Sequence, residues 1–148
     1  FSLTLLCDYI IASEQAFFVQ SFVNVGLIPD FAAMHFLPYL VGVQKAKELM
    51  FLGERISAEE AEQIGIVNRV VPADQLESET VKIAETLAKK APISIGMTKK
   101  IMNHHLNRDL KTLLELEAQG QGICFQTEDC KEGVTAFFEK REPQFKGK

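Results

Sequence analysis

At 148 residues, with 47% hydrophobic and 24% charged residues, the chain is long enough for one domain with a real core, and its composition is ordinary for a globular protein. A formal net charge of −4 argues against a nucleic-acid partner held by phosphate neutralisation. The three cysteines, Cys7, Cys124 and Cys130, have no C-x-x-C spacing; they read as reduced thiols, and neither a disulfide framework nor a zinc site is expected.

No secretory leader pattern is visible and no apolar run reaches the roughly 18 residues of a membrane span, so a chain in a reducing, aqueous compartment is expected. No ligand set for a metal or redox cofactor stands out. The chain opens Phe1-Ser2-Leu3-Thr4-Leu5-Leu6-Cys7, already apolar and with no capping approach, as a chain would that begins in mid-element. The C-terminal part of a longer protein is therefore expected.

In chain order, Phe1 to Cys7 reads as a short buried helix. Asp8-Tyr9-Ile10-Ile11-Ala12 reads as a buried strand, and Ala16-Phe17-Phe18-Val19 as a second after a turn at Ser13-Glu14. Gln20 to Gly26 is irregular, with Gly26 allowing a tight bend. Apolar residues dominate Phe31 to Leu40, where Pro38 should interrupt any helix. Gly42 to Leu52 is a helix with Ala46, Leu49 and Met50 on one face and Gly53 at its C-cap. Ser57-Ala58-Glu59-Glu60 is a capping box that starts a helix running to Gly65. Ile66 to Val71 is a strand stopped by Pro72.

The pattern then becomes wholly helical. Leu76, Thr80, Ile83, Ala84 and Leu87 share one helical face. Pro92 opens a helix with Ile93, Met97, Ile101 and Leu106. Asp109 or Thr112 opens another with Leu113, Leu116 and Gly120. Thr127-Glu128-Asp129 opens the last, acidic where the helix dipole favours it, with Val134, Phe137 and Phe138. The expected organisation is an α/β part over 1–72 and a helical part over 73–148.

The stretch with most chemical promise is Gly26-Leu27-Ile28-Pro29-Asp30-Phe31-Ala32-Ala33. It carries one carboxylate, Asp30, among apolar residues, a setting that raises a carboxyl pKa and favours general-base chemistry. Asp30 also reads as the N-cap of a following helix, and one residue can serve both ends. His104-His105 points its rings apart on a helix and makes a poor chelate. Asp8 reads as a turn or capping residue. Lys140-Arg141 with Lys146 and Lys148 forms a small basic patch beside Phe137 and Phe145, either solvated or a phosphate contact.

Taken in order, these segments resemble the enoyl-CoA hydratase/isomerase (crotonase) superfamily. Leu3-Thr4-Leu5-Leu6-Cys7-Asp8-Tyr9-Ile10-Ile11-Ala12 is similar to its L-x-x-x-C-D-x-x-I-A segment. Ala16-Phe17-Phe18 with Gly26-Leu27-Ile28-Pro29 resembles A-x-F … G-x-x-P. Leu52-Gly53-Glu54-Arg55-Ile56-Ser57-Ala58-Glu59-Glu60-Ala61 and Gly65-Ile66-Val67-Asn68-Arg69-Val70-Val71-Pro72 follow in register, and Glu132 to Arg141 matches E-G-x-x-A-F-x-E-K-R. The ordered set, covering the whole chain, is specific where each piece is weak.

The resemblance implies an α/β fold: a ββα spiral core, with its N-terminal half missing, followed by an α-helical C-terminal trimerisation region. It implies a homo-oligomer, a trimer or a dimer of trimers, that acts on acyl-CoA thioesters in fatty-acid or aromatic-acid degradation. No cofactor beyond the substrate and no metal is implied. The location would be cytoplasmic, or mitochondrial or peroxisomal in a eukaryote. Two backbone N–H donors stabilise the thioester enolate in such proteins. Both would fall ahead of Phe1, so this chain alone is expected to be inactive.

By register, the two glutamates with which hydratases handle water fall on Ser2 and Phe22. Isomerases of the superfamily often have an acidic residue at the position of Asp30, which makes a double-bond isomerase the leading expectation and Asp30 its catalytic residue. Phe22, Phe31 and Phe36 would form the apolar wall, Lys140 would meet a phosphate of CoA, and Phe137 its apolar part. A dehalogenase branch needs an indole at the position of Phe22, and this chain has no Trp. A hydratase with displaced acid/base groups and a non-catalytic acyl-CoA-binding protein are the alternatives. Relatives often have Gly-Gly after the Asp30 position, where this chain has Phe31-Ala32-Ala33; larger residues there would narrow the acyl pocket.

Overall fold

The structure, a computed structural model, describes residues 1–103 and 109–148. His104, His105 and Leu106, read above as a helix surface and a helix face, lie outside the described residues. The chain divides into two compact units, Phe1–Val81 and Lys82–Lys148.

In the first unit, strand β1 (Ile11–Ser13) pairs in parallel with β4 (Arg69–Val71), Ile11 opposite Arg69 and Ser13 opposite Val71. Strand β2 (Phe17–Val19) pairs antiparallel with β3 (Arg55–Ser57), with Phe18 opposite Ile56. Helix α1 (Ala33–Leu52) separates β2 from β3, and α2 (Ala58–Gln63) separates β3 from β4. Both helices thus belong to the crossover that a parallel pair requires. The ladder is extended at one end by Asn68, whose N–H donates to the Ile10 carbonyl at 2.9 Å while its side-chain oxygen accepts the Ile10 N–H at 2.7 Å.

The core of this unit is built from Leu5, Ala12, Phe18, Leu37, Leu49 and Ile66, among others, with Phe1 edge-on to Phe18 at 5.4 Å. Ala46, Leu49 and Met50 are buried on one face of α1, as their spacing predicts.

Several boundaries differ from expectation. The opening stretch is a single 3-10 turn, Thr4–Leu6, rather than a buried helix: Leu5 is buried, but Leu3 and Leu6 are exposed. Gln20 to Gly26 is not irregular, since Ser21–Val25 forms a 3-10 turn closed by left-handed Gly26. Both parallel strands start later than their apolar runs, because only three residues of each find a ladder partner. Helix α2 stops at Gln63, two residues short of Gly65.

Pro38 does not interrupt a helix; it lies inside α1. The carbonyl that its missing N–H would have served belongs to Met34, which is exposed, where water can take its place. The break comes at Gly42 instead, with φ 76° and ψ 158°, an extended positive-φ conformation reserved for glycine. Gly53 closes α1 in the left-handed region (φ 61°), its N–H bonded to the Leu49 carbonyl. The capping box is half made: Ser57 Oγ accepts the Glu60 N–H at 3.1 Å, but the Glu60 carboxylate takes Lys45 Nζ at 3.2 Å.

Helix α3 (Leu76–Ala88) carries the boundary between the units. The second unit contains α4 (Pro92–Met102), α5 (Leu110–Phe125) and α6 (Glu128–Glu139). Asp109 caps α5 by accepting the Thr112 N–H at 3.0 Å. The Thr127 hydroxyl serves two helices, donating to the Cys124 carbonyl at the end of α5 and accepting the Cys130 N–H of α6.

Gly53→Ala is expected to cost about 2 kcal/mol, because the residue is left-handed and the new Cβ would lie 3.0 Å from Asn24 and Val23 side-chain atoms. A lower denaturant midpoint with an unchanged slope is the expected reading.

Candidate functional site

Asp30 is exposed, which corrects the expectation of a carboxylate sunk among apolar side chains. Its neighbours Leu27, Ile28, Phe31 and Met34 are apolar but themselves exposed, so they do not close over it. Nor is Asp30 a side-chain cap. The N-cap of α1 is Ala32, with no side-chain capping bond, and Asp30 contributes only its carbonyl, which accepts the Ala33 N–H at 2.9 Å. Among the described residues its carboxylate makes no hydrogen bond or ion pair.

The backbone after it is strained. Phe31 (φ 45°) and Ala32 (φ 56°) are consecutive left-handed residues with side chains, each costing roughly 1–2 kcal/mol over a right-handed conformation. Two left-handed residues in a row turn the chain sharply into α1. Glycine would fit this geometry without strain.

Ser2 is buried, its Oγ 3.4 Å from the side-chain oxygen and nitrogen of buried Gln20. Phe22 is half-buried in the 3-10 turn, and its carbonyl accepts the Leu27 N–H at 2.9 Å. Phe31 is exposed, while Phe36 is half-buried against the core. Phe36 lines a cleft of about 170 Å³ with Asp8, Tyr39, Leu40 and Asn68; Asp30, Phe22 and Phe31 do not line it. The candidate residues of this unit thus cluster along Phe22–Phe36 in sequence without forming one enclosed pocket.

In the second unit, Phe137 is 79% exposed and meets Phe138 edge-on at 5.8 Å. Lys140 is exposed and left-handed (φ 54°) at the end of α6. The expected four-residue basic patch is broken up, because Arg141 is paired. Its guanidinium meets both Glu132 oxygens at 2.6 and 2.9 Å and Glu139 at 2.6 Å. The Arg141 guanidinium and the Gln144 N–H hold the Glu132 carboxyl down from its ordinary 4.5 to about 2.

Sequence pattern missed Asp129. It reads as a first-turn acid of α6, yet it is 3% exposed and accepts the N–H groups of Lys146 at 2.6 Å and Gly147 at 2.8 Å. The only local sign was an acid close to a glycine-containing C-terminal segment. All three cysteines are free. Among the described residues no helix is long and apolar enough to cross a membrane, and no group of His, Cys, Asp and Glu is arranged to hold a metal.

The fold, an α/β part with alternating strands and helices followed by helices alone, is shared almost residue for residue with solved enoyl-CoA hydratases. That from Bacillus anthracis has a TM-score of 0.95 at 40% identity, over 99% of this chain and 57% of that one. The enoyl-CoA hydratase/isomerase family model matches residues 1–148, and the chain belongs to that family and has the crotonase fold. It is 39% identical over 143 residues to a crotonyl-CoA hydratase of Syntrophomonas wolfei, covering 97% of this chain and 55% of that protein. It is 37% identical over 141 residues to a 1,2-epoxyphenylacetyl-CoA isomerase of Escherichia coli, covering 95% and 54%. The chain therefore spans about half the length of these relatives. Hydratase names predominate among them.

Ala32→Gly is expected to stabilise the protein by about 1 kcal/mol, because glycine occupies the left-handed region without strain. A melting temperature raised by a few degrees would bear this out, and an unchanged or lower one would mean the strain is not there.

Because the folded-state pKa of Glu132 is depressed, the clamp contributes stability above the ordinary carboxylate value and loses it as pH falls from about 4.5 to about 2. The protection factor of the Gln144 amide, 2.8 Å from Glu132 Oε1, should hold down to that window and then fall. Glu132→Gln should abolish the transition.

Proposed function

We propose that this chain contributes the proton-transferring carboxylate of an acyl-CoA double-bond isomerase, and that this carboxylate is Asp30. The observation that carries the reading is a contrast of side chains. The positions that resemble the two hydratase glutamates hold Ser2, buried against Gln20, and Phe22, neither of which can take or give a proton as a carboxylate does. Asp30, in contrast, carries a carboxylate spent, among the described residues, on neither a cap nor an ion pair.

In this mechanism Asp30 removes a proton alpha or gamma to the thioester carbonyl. The electron pair moves into the carbonyl as an enolate, held by backbone N–H donors that the resemblance assigns to sequence ahead of Phe1. The proton then returns to a different carbon, which moves the double bond, with no net gain or loss of atoms. The exposed run Leu27, Ile28, Phe31 and Met34 supplies an apolar face for the acyl group, and Phe31-Ala32-Ala33, set against the Gly-Gly that the resemblance implies for relatives, narrows the space beside it. Phe22 and Phe36 complete the wall; Lys140 and Phe137 contact the CoA portion. A homo-oligomer, a trimer or a dimer of trimers, belongs to the same proposal. It is supported by the apolar surface that Phe125, Val134, Phe137 and Phe138 leave open to solvent.

The hydratase names of most relatives favour a second reading, hydration with acid/base groups at other positions. In the non-catalytic alternative Asp30 would not serve as the side-chain cap, because Ala32 stands at the cap position.

Asp30→Asn in the intact protein is expected to lower the rate of 3-enoyl-CoA isomerisation by about a hundredfold or more, with acyl-CoA affinity nearly unchanged. Retained turnover would remove Asp30 from the mechanism. Incorporation of oxygen from labelled water into the product would favour the hydratase instead.

A further inference from the structure

The last turn of α6 holds a lysine in a conformation that glycine adopts more easily. Lys140 has φ 54° and ψ 41°, and two backbone bonds define the turn: its N–H donates to the Phe137 carbonyl at 3.3 Å and the Arg141 N–H to the Ala136 carbonyl at 3.1 Å. Glycine is the usual residue at this place because a Cβ is penalised there. Something else must hold the backbone in this shape and account for a side chain being kept.

Arg141 does the holding. Its guanidinium grips Glu132, one helical face back along α6, in a two-pronged bond, and its Nε meets Glu139. Two parallel bonds fix direction as well as distance. Glu132 then reaches forward to the Gln144 N–H, and buried Asp129 ties down Lys146 and Gly147. The residues after Lys140 are thus fastened to α6 at three points, while the charge of Arg141 is answered by two carboxylates. Lys140 alone in this turn makes no side-chain hydrogen bond or ion pair among the described residues. The result is a rigid backbone that presents one uncommitted ammonium to solvent beside the exposed ring of Phe137.

We propose that the Glu132–Arg141 clamp is a positioning device for Lys140, holding its left-handed turn so that Nζ meets a phosphate of the bound CoA thioester. The proposal rests on the acyl-CoA reading above and adds to it the residues that aim the contact. Glu132 and Arg141 act through Lys140 and touch no substrate. A lysine kept only to complement the helix dipole would need no clamp, since any position in the last turn serves that interaction.

The test is a double-mutant cycle in the intact protein, with CoA itself as the probe and affinity measured by calorimetry at low and high salt beside the melting temperature. Lys140→Gly should raise the melting temperature, because glycine relaxes the turn, yet weaken CoA binding about tenfold and reduce its salt dependence. Glu132→Gln should weaken binding several-fold, and the double variant should bind no more weakly than Lys140→Gly alone. Arg141→Lys, which keeps the charge and loses the two-pronged geometry, should repeat the Glu132→Gln result even if that variant folds poorly. Weaker binding in Lys140→Gly with none in Glu132→Gln and Arg141→Lys, or additive losses in the double variant, would overturn the clamp's role and leave the acyl-CoA reading intact. Unchanged affinity in Lys140→Gly would overturn the contact itself. Absence of any CoA binding by the unaltered protein would instead overturn the acyl-CoA reading and this inference with it.

Discussion

Strands β1 and β4 run in the same direction, and that geometry controls the whole first unit. A parallel pair cannot be joined by a tight turn, so the chain between Ser13 and Arg69 has to leave one end of the ladder and return to the other. It does so through β2, α1, β3 and α2, and each of these buries apolar residues that the short ladder could not cover alone: Phe18, Leu37, Leu49, Ile56 and Ala61. The antiparallel pairing of β2 with β3 joins the strands that precede and follow α1. The stretch Gly26–Ala33 is what remains between β2 and α1. Its place at the N-terminal end of a long helix follows from the crossover and not from any preference of its own residues.

Among the described residues three with side chains occupy the left-handed region, Phe31, Ala32 and Lys140, and all three lie at ends of helices next to residues of chemical interest. Where the chain turns for structural reasons alone, at Gly26, Gly42 and Gly53, it uses glycine. A sequence that places glycine correctly at several bends and omits it at two others is tolerating strain there. Strain of this size persists only where the surroundings over-determine the conformation. At Lys140 the agent is identifiable, the paired Glu132 and Arg141. At Phe31-Ala32 it is the start of α1 itself, since the Ala32 carbonyl receives the N–H groups of His35 and Phe36 at 2.8 and 3.1 Å.

Much of this was legible in the sequence because its causes are local. Ser57, Asp109 and Thr127 cap the helices their positions announce, and Gly53 ends α1 where a C-cap glycine belongs. These signals depend on residues three or four apart, which one chain segment contains in full. The errors have non-local causes. Pro38 counts against a helix in any local reading, but the carbonyl it leaves unpaired is on an exposed turn. The ladder of β1 is shorter than its apolar run because its partner β4 offers only three residues. Asp129 looks like a dipole-complementing acid until the C-terminal segment returns to it. Burial of Asp30 was inferred from apolar neighbours in sequence, and neighbours in sequence bury a group only if they also fold over it.

That last distinction bears on the chemistry. A carboxylate in contact with water is solvated by it, and abstraction of a proton from carbon requires that water be displaced. The first unit supplies the means in an open form, since Leu27, Ile28, Phe31 and Met34, close to Asp30 in sequence, expose apolar side chains that gain by being covered. An acyl chain laid on that surface would dry the carboxylate as it binds, so binding and activation would be one event. Addition of water makes the opposite demand: a water molecule has to be retained and oriented between an acid and a base. With Ser2 turned inward to Gln20 and Phe22 apolar, nothing at those two positions would hold it. A single carboxylate beside a surface that sheds water is suited to moving a proton within one substrate, which is the physical argument behind the isomerisation proposed above.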